Sequence, residues 1–538
     1  MPRLCLLLAA LVLLALPALA QPPRPRLVVL MVIDQLANDH LYRLQDHFGP
    51  GGFRRLTEGG AWHVACLSDV LPTTTAVGHA SLVTGAPPSL HGIVGNAWME
   101  EGRVVVAVED ERYPVVGASG SGGFAPSRLL SSTLGDELKL SWAGQSRVVS
   151  VSLKDRAAIL LGGRSADLAL WFDSTSGRWV SSRWYRPRGD LPAWVEELNA
   201  SGWLEAQFGY RWTPLLPLAA RQRSAPSPQE GTGPHHGSGA GFPHLVQGGL
   251  ARPGPEYYEA VTFSPLGDIW TLRLAREAVT REKLGRGPAP DVLAINLTSH
   301  DRVGHAFGPH SPEVQDLLLR LDGELASFFA FLDAEVGQGQ VLLALAGDHG
   351  VAPLPEWSQQ FRLGGGRFDA AALEKAVQSA LEDRYGRGRD YLAGFVYPHL
   401  YLNVQGLSAA EARQVARQAA RGVPGIFEAY TRDQIESGQL PLDPLGPRIG
   451  RSYFRGRSGD LEVVLADHWV LSRQGTNHAS PWAYDAHVPL LLAGPGVRPG
   501  RRYRPATMQD LAPTLCALLG VSFPSACTGR VLEEDLEE

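Results

Sequence analysis

Cysteine is scarce, with four in 538 residues. No two stand in CxxC spacing, so a thiolate zinc site is not expected. Cys5 lies inside an N-terminal apolar run. Of the other three, Cys516 and Cys527 are the expected pair if the chain is exported and oxidised, and Cys66 is then a buried free thiol. Nowhere does an apolar stretch reach about 18 uninterrupted residues, so no membrane-spanning helix is expected. An excess of one charge is also missing. The formal net charge is −6, which carries no nucleic-acid footprint. Nearly all of the 49 basic residues are Arg, a compositional bias rather than a chemical signal. No internal repeat is visible. What is present is ordinary globular material, 44% hydrophobic and 19% charged, long enough for about two to four domain-sized units or one large domain with insertions.

Arg3 precedes an apolar run from Leu4 to Leu16, followed by Pro17-Ala18-Leu19-Ala20. A basic start, a short apolar stretch and small residues read as a signal peptide, residues 1–20, cut after Ala20. The mature chain is therefore expected to be periplasmic or secreted, with no transmembrane anchor.

Short β-branched runs read as buried parallel strands at Leu27–Ile33, Val148–Leu153, Val292–Leu297, Val341–Ala346 and Val488–Ala493. Helical patterns separate them. The clearest spans Ser311–Val336, with Ser311 as N-cap, Pro312 in the first turn and apolar residues on one face. Alternating strands and helices predict an α/β fold with a mainly parallel sheet flanked by helices. Two segments break the pattern and read as insertions over the active face, 161–257 and an α+β unit at 361–470. The core would then be assembled from 21–160, 258–360 and 471–538. The second insertion carries helical patterns at Ala370–Tyr385 and Ser408–Arg421 and strand candidates at Gly394–Val404 and Asp460–Leu465. His235-His236 falls in a Gly/Ser/Pro-rich run and reads as solvated loop.

In open α/β sheets ligands bind beyond the carboxyl ends of the strands. Asp34 follows the first run. Asp301 and His305 follow Val292–Leu297, in TSHDRVGH. Asp348-His349 follow Val341–Ala346, in AGDHG, and His478 precedes the last run, in GTNHAS. A single Asp after a strand is usually a cap or turn residue. Three carboxylates and three imidazoles from four distant segments are much harder to obtain by chance. They suit two zinc ions with three protein groups each, and the imidazoles disfavour magnesium or calcium. Four positive charges against three carboxylates would leave the site near +1, suited to phosphate. PTTTAVGHAS at 72–81 places Thr73, Thr74 and Thr75 where a helix begins, and its N-terminus favours negative charge. Any of the three could be a nucleophile or merely a cap.

These strings resemble the alkaline phosphatase superfamily, specifically its phosphodiesterase/nucleotide-pyrophosphatase-like branch. They are most similar there to exported, threonine-dependent, phosphate-insensitive bacterial alkaline phosphatases. The matching strings are VIDQ (32–35), PTTTAVGHAS (72–81), SLHGIVGN (89–96), VSLKDRAAIL (151–160), TSHDRVGHAFGP (298–309), GDHG (347–350) and GTNHASPWAYDAHVPLL (475–491). The resemblance implies an alkaline-phosphatase-like core and Thr75 as nucleophile. Asp34, Asp348 and His349 would hold the zinc that activates Thr75. Asp301, His305 and His478 would hold the zinc that meets the leaving oxygen. His487 rivals His478, but His478 stands at the family's ligand position. His79 and His91 are expected to pack or to support the ligands.

Three further residues bear on substrate class. Asn96 matches a family donor to a phosphate oxygen. Lys154 and Arg156 follow a strand and could hold the extra non-bridging oxygen of a monoester dianion. The resembled diesterases lack this pair and offer an apolar pocket to the second ester arm. The expectation is a phosphoric monoester hydrolase acting on small phosphate esters through a phosphothreonine. The alternative is a phosphodiesterase or nucleotide pyrophosphatase on the same two zinc ions, and more distantly an inactive phosphate- or metal-binding protein. A sulfatase would need a CxPxR-like string, and Cys66 and Cys527 lack one. A cytosolic phosphoglycerate mutase would not need a signal peptide.

Overall fold

In the computed structural model the described residues are 24–118, 122–217, 224–225, 229–233, 235–237 and 239–537. The expected signal peptide lies outside them. Four buried parallel strands form the centre: β1 (Leu27–Ile33), β2 (Val148–Ser152), β3 (Asp291–Leu297) and β4 (Val341–Ala346). β1 pairs in parallel with β3 and β4, and β3 with β2. They belong to an eleven-stranded sheet. Along β1 the side chains alternate between two cores, Leu27, Val29, Met31 and Ile33 on one face, Val28, Leu30 and Val32 on the other. Burial on both faces is why the run is continuously apolar. Each such side chain stabilises the fold by about 1.5–3 kcal/mol.

Helices cover both faces. α1 (Thr75–Thr84), α2 (Asp155–Gly162), α3 (Ser299–Phe307) and α4 (Pro312–Glu335) matter most here. α4 starts where the sequence predicts, and the Ser311 hydroxyl accepts from the Val314 amide at 3.2 Å. α1 ends at Gly85, whose φ of 63° makes it the left-handed cap.

Several expectations need correction. Leu490–Ala493 joins β4 antiparallel, not parallel. Leu168–Asp173 and Arg178–Ser182 are strands of the main sheet, so the segment that departs from the core starts later than 161. Gly394–Val404 is a hairpin, Leu392–Val396 and His399–Leu402, because the chain turns at Tyr397-Pro398. The hairpin, Leu461–Leu465 and Ile426–Thr431 make a four-stranded sheet with its own core beneath Ala370–Tyr385 and Ala409–Arg421. The expected Cys516–Cys527 bridge is not formed. All three described cysteines are free, Cys516 within the helix Leu511–Leu519 and Cys527 bonded weakly through sulfur to the Gly529 carbonyl.

Candidate active site

The sheet brings the ligand-type residues together at one end. Asp34 leaves β1, Asp348-His349 leave β4, and Asp301 and His305 lie on α3 just past β3. His478 precedes its strand instead of following it, and the antiparallel direction explains why: that strand begins at the end where the parallel ones finish. Asp34, Asp348 and His349 present ligand atoms within 4.8 Å of one another, and so do Asp301, His349 and His478. Neither group includes His235 or His236.

The first group has the marks of a cation site. Asp34 Oδ1, Asp348 Oδ2 and His349 Nε2 are buried and accept or donate no hydrogen bond. Nε2 of His349 stands 3.6 Å from the Asp34 oxygen and 3.4 Å from the Asp348 oxygen. Ligands around a tetrahedral zinc lie roughly 3.3 Å apart. Three buried ligand atoms within 4.8 Å of one another, with the imidazole close to that separation from each carboxylate, fit one ion. His349 Nδ1 lies 2.9 Å from the Gly350 carbonyl, and a proton donated there turns the Nε2 lone pair inward.

His478 of the second group repeats the device, and so does His305, which stands outside both groups. His305 Nδ1 meets the Thr476 carbonyl at 2.8 Å and His478 Nδ1 the Thr73 carbonyl at 2.6 Å. Their Nε2 atoms stand 3.1 and 3.8 Å from Asp301 Oδ1. The His349 and His478 rings stack at 3.6 Å, joining the two groups. His487 is elsewhere, bonded to the Val64 carbonyl at 2.8 Å. The donor set of three carboxylates and three imidazoles suits zinc.

Electrostatics reflects this crowding. Burial, then the charge of Asp348, pushes the Asp34 carboxyl up. Burial works to raise Asp301 too, but Lys154 and His305 outweigh it and hold it well below the usual carboxylate range. Burial, with His349 and His305 beside it, holds His478 well below the usual imidazole value.

The Lys154 ammonium joins all of this. It donates to Asp301 Oδ2 at 2.6 Å, to Asp34 Oδ2 at 2.9 Å and to Thr75 Oγ1 at 3.3 Å. Among the three threonines only Thr75 meets the lysine. Thr74 is the N-cap of α1, and Thr73 donates to the Ser480 carbonyl at 2.8 Å. Asn96 Oδ1 accepts from the Ala76 amide at 2.9 Å, which leaves its NH₂ group as a donor beside the helix start. Arg156 does not reach this cluster. It lines an adjoining cavity of about 470 Å³ with Lys154, Leu153, Phe124, Trp171 and Arg302. His79 lies 3.2 Å from Asp348 Oδ2, and its Nδ1 proton goes to the Thr75 carbonyl at 2.8 Å. His91 faces Ser81 at 3.2 Å, and burial pushes it down to about 3.

Two participants escape a reading of the sequence. Gln35 donates to the Asp301 and Asp348 carboxylates at 2.9 and 3.0 Å, and Asn296 donates to Asp34 Oδ2 at 3.3 Å. Asn296 had one signal, a polar residue inside an apolar strand. Gln35 had none beyond following Asp34.

A mainly parallel sheet with a candidate metal centre at its carboxyl end defines the class, an α/β protein with its site beyond the strand ends. The chain belongs to the type I phosphodiesterase / nucleotide pyrophosphatase family, whose model matches residues 28–487. It is similar to alkaline phosphatase PafA of Elizabethkingia meningoseptica, 34% identical over 95% of this chain and 94% of that one. Alkaline phosphatase PhoV of Synechococcus elongatus is 35% identical over 96% and 93%. A protein of Myroides odoratus named calcium-transporting ATPase is 32% identical over 96% and 95%. The crystal structure of PafA matches with a TM-score of 0.90 over 96% of this chain and all of that one, at 34% identity. No helix among the described residues is long and apolar enough to cross a membrane.

Proposed function

We propose that the chain is an exported alkaline phosphatase that hydrolyses phosphate monoesters with two zinc ions and Thr75 as nucleophile. The observation that carries the reading is the Lys154 ammonium, 3.3 Å from Thr75 Oγ1 and bonded to one carboxylate of each ligand group. The relatives named alkaline phosphatase support the reaction class. Asp34, Asp348 and His349 would hold one zinc, and Asp301, His305 and His478 the other. Bound zinc ions would supply Lewis-acid charge to the nucleophile and leaving oxygens.

The residues do the rest. Thr75 Oγ1, at the N-terminus of α1, gives up its hydroxyl proton to solvent and forms a bond to phosphorus as the bond to the ester oxygen breaks, and the leaving oxygen takes up one proton from solvent and departs as the alcohol. Water then cleaves the phosphothreonine, releasing phosphate and restoring the hydroxyl. Lys154 and the Asn96 amide would bind the equatorial oxygens, where transition-state charge spreads. Arg156 would turn from its cavity to hold the third.

That cavity favours one alternative. Leu153, Phe124 and Trp171 beside Arg156 could receive the second arm of a diester, making the chain a phosphodiesterase. The deciding experiment measures zinc content and initial rates on an aryl phosphate monoester and the matching diester. A monoester preference, lost on chelation and restored by zinc, supports the phosphatase. A diester preference moves the chain to the alternative.

A further inference from the structure

Gln35, like Lys154, donates to a carboxylate in each candidate ligand group, but it does so without a charge and from two separate donors. Its backbone amide donates to Asp348 Oδ1 at 3.0 Å, and its side-chain Nε2 donates to Asp301 Oδ1 at 2.9 Å. It is fully buried. Its φ is +69°, the left-handed region that glutamine seldom adopts. A second residue is shaped to receive it. A Cβ on Gly304, within α3, would stand 1.8 Å from Gln35 Oε1, so only glycine there lets the amide lie against the helix that carries Asp301 and His305. Strain at one position and a missing side chain at another both serve this single contact.

We propose that Gln35 is a positioning residue that fixes Asp301 relative to Asp348 and so sets the affinity of the second cation site; this rests on the two-zinc reading above. The amide bond orients the Asp301 carboxylate without occupying a coordination position of its own. Groups that orient a ligand in this way typically contribute 10- to 100-fold in metal affinity. The backbone donor serves Asp348 and survives any side-chain change. The two sites should therefore respond differently to loss of the side chain.

The test is zinc titration of the full-length apoprotein against a competing chelator, with cobalt(II) absorption spectra as a second readout. Gln35→Met keeps length and bulk and removes the donor. Gly304→Ala keeps Gln35 and evicts its amide. Both variants should bind the first equivalent as the wild type does, bind the second about 10- to 100-fold more weakly, and alter the cobalt spectrum of that equivalent. Wild-type affinity for both equivalents in both variants would overturn the proposal. So would equal weakening of both, which would make Gln35 a general structural support. If the wild type itself failed to take up two equivalents, the two-zinc reading would fall instead. Thermal unfolding of the apoproteins identifies a variant that merely fails to fold, and Gly304→Ala and Gln35→Met must agree for the proposal to stand.

Discussion

Glu462 offers a prediction that is independent of the ligands. It lies on Leu461–Leu465, opposite His399 on one neighbouring strand and Tyr430 on the other. It is buried, and neither carboxyl oxygen has a hydrogen-bond partner. Burial pushes its carboxyl from 4.5 up to about 8. The groups around it are Tyr397, Tyr401 and Tyr430, all raised by burial, and His399, held by burial at about 4. No cation among them balances the carboxylate. The folded protein keeps this proton up to about 8, while the unfolded chain releases it near 4.5. Below 4.5 both states are protonated and the group is neutral to stability. Between the two values the unfolded state binds fewer protons, so stability falls as pH rises, and the loss is complete above 8. The full displacement corresponds to roughly 5 kcal/mol, of which about 3 kcal/mol is lost by pH 7. Glu462→Gln removes the titration at nearly constant shape. Urea unfolding at pH 5, 7 and 9, at saturating zinc so that ligand protonation cancels, should show the variant gaining on the wild type by several kcal/mol from pH 5 to 9. A stability difference that stays constant across this range would refute the reasoning.

The site yields further expectations. Thr75→Ala should lower kcat/KM on an aryl phosphate by on the order of a thousandfold or more with zinc content unchanged, and most of the activity surviving at full zinc would remove Thr75 as nucleophile. Lys154→Ala and Arg156→Ala should each cost about tenfold to a hundredfold on monoesters, the worth of a charged hydrogen bond, and less on diesters, and equal losses on both substrates would sink the discrimination argument. Chelation should abolish activity, with zinc restoring it and magnesium or calcium failing to, since half the donors are imidazoles. Recovery with magnesium alone would point to a different cation.

How much of this was legible in the sequence follows from what a pattern can encode. β1 was legible because burial on both faces leaves an unbroken apolar run. The direction of Leu490–Ala493 was not, because period and composition are the same for either direction. Leu168–Asp173 was missed although Leu168–Phe172 is an unbroken apolar run, because it opens a stretch rich in Trp, Gly, Pro and Ser that reads as an insertion, and Arg178–Ser182 was missed because it is short and half polar. The candidate ligand residues stood out because aspartates and histidines recur where strands end. Their partition between two groups was less so. His349 Nε2 lies near both, and only coordinates show the His349–His478 stack. Gln35 was invisible because its partners are 266 and 313 residues away.

Charge balance explains why one lysine can serve both the fold and the reaction. Asp34, Asp301 and Asp348 place three carboxylates in a buried cluster, and carboxylates in so small a volume need cations. The fixed cation paired with them is Lys154, on Asp34 and Asp301. On the two-zinc reading, bound metal would take over that task. The ammonium would then be released toward Thr75 and an incoming phosphoryl oxygen, without leaving its place. A monoester dianion would gain most from that freed charge, because it carries one more unshared oxygen than a diester. The same carboxylates that draw the metal would thus govern when Lys154 is available to substrate, so that phosphate binding and metal loading would rise together.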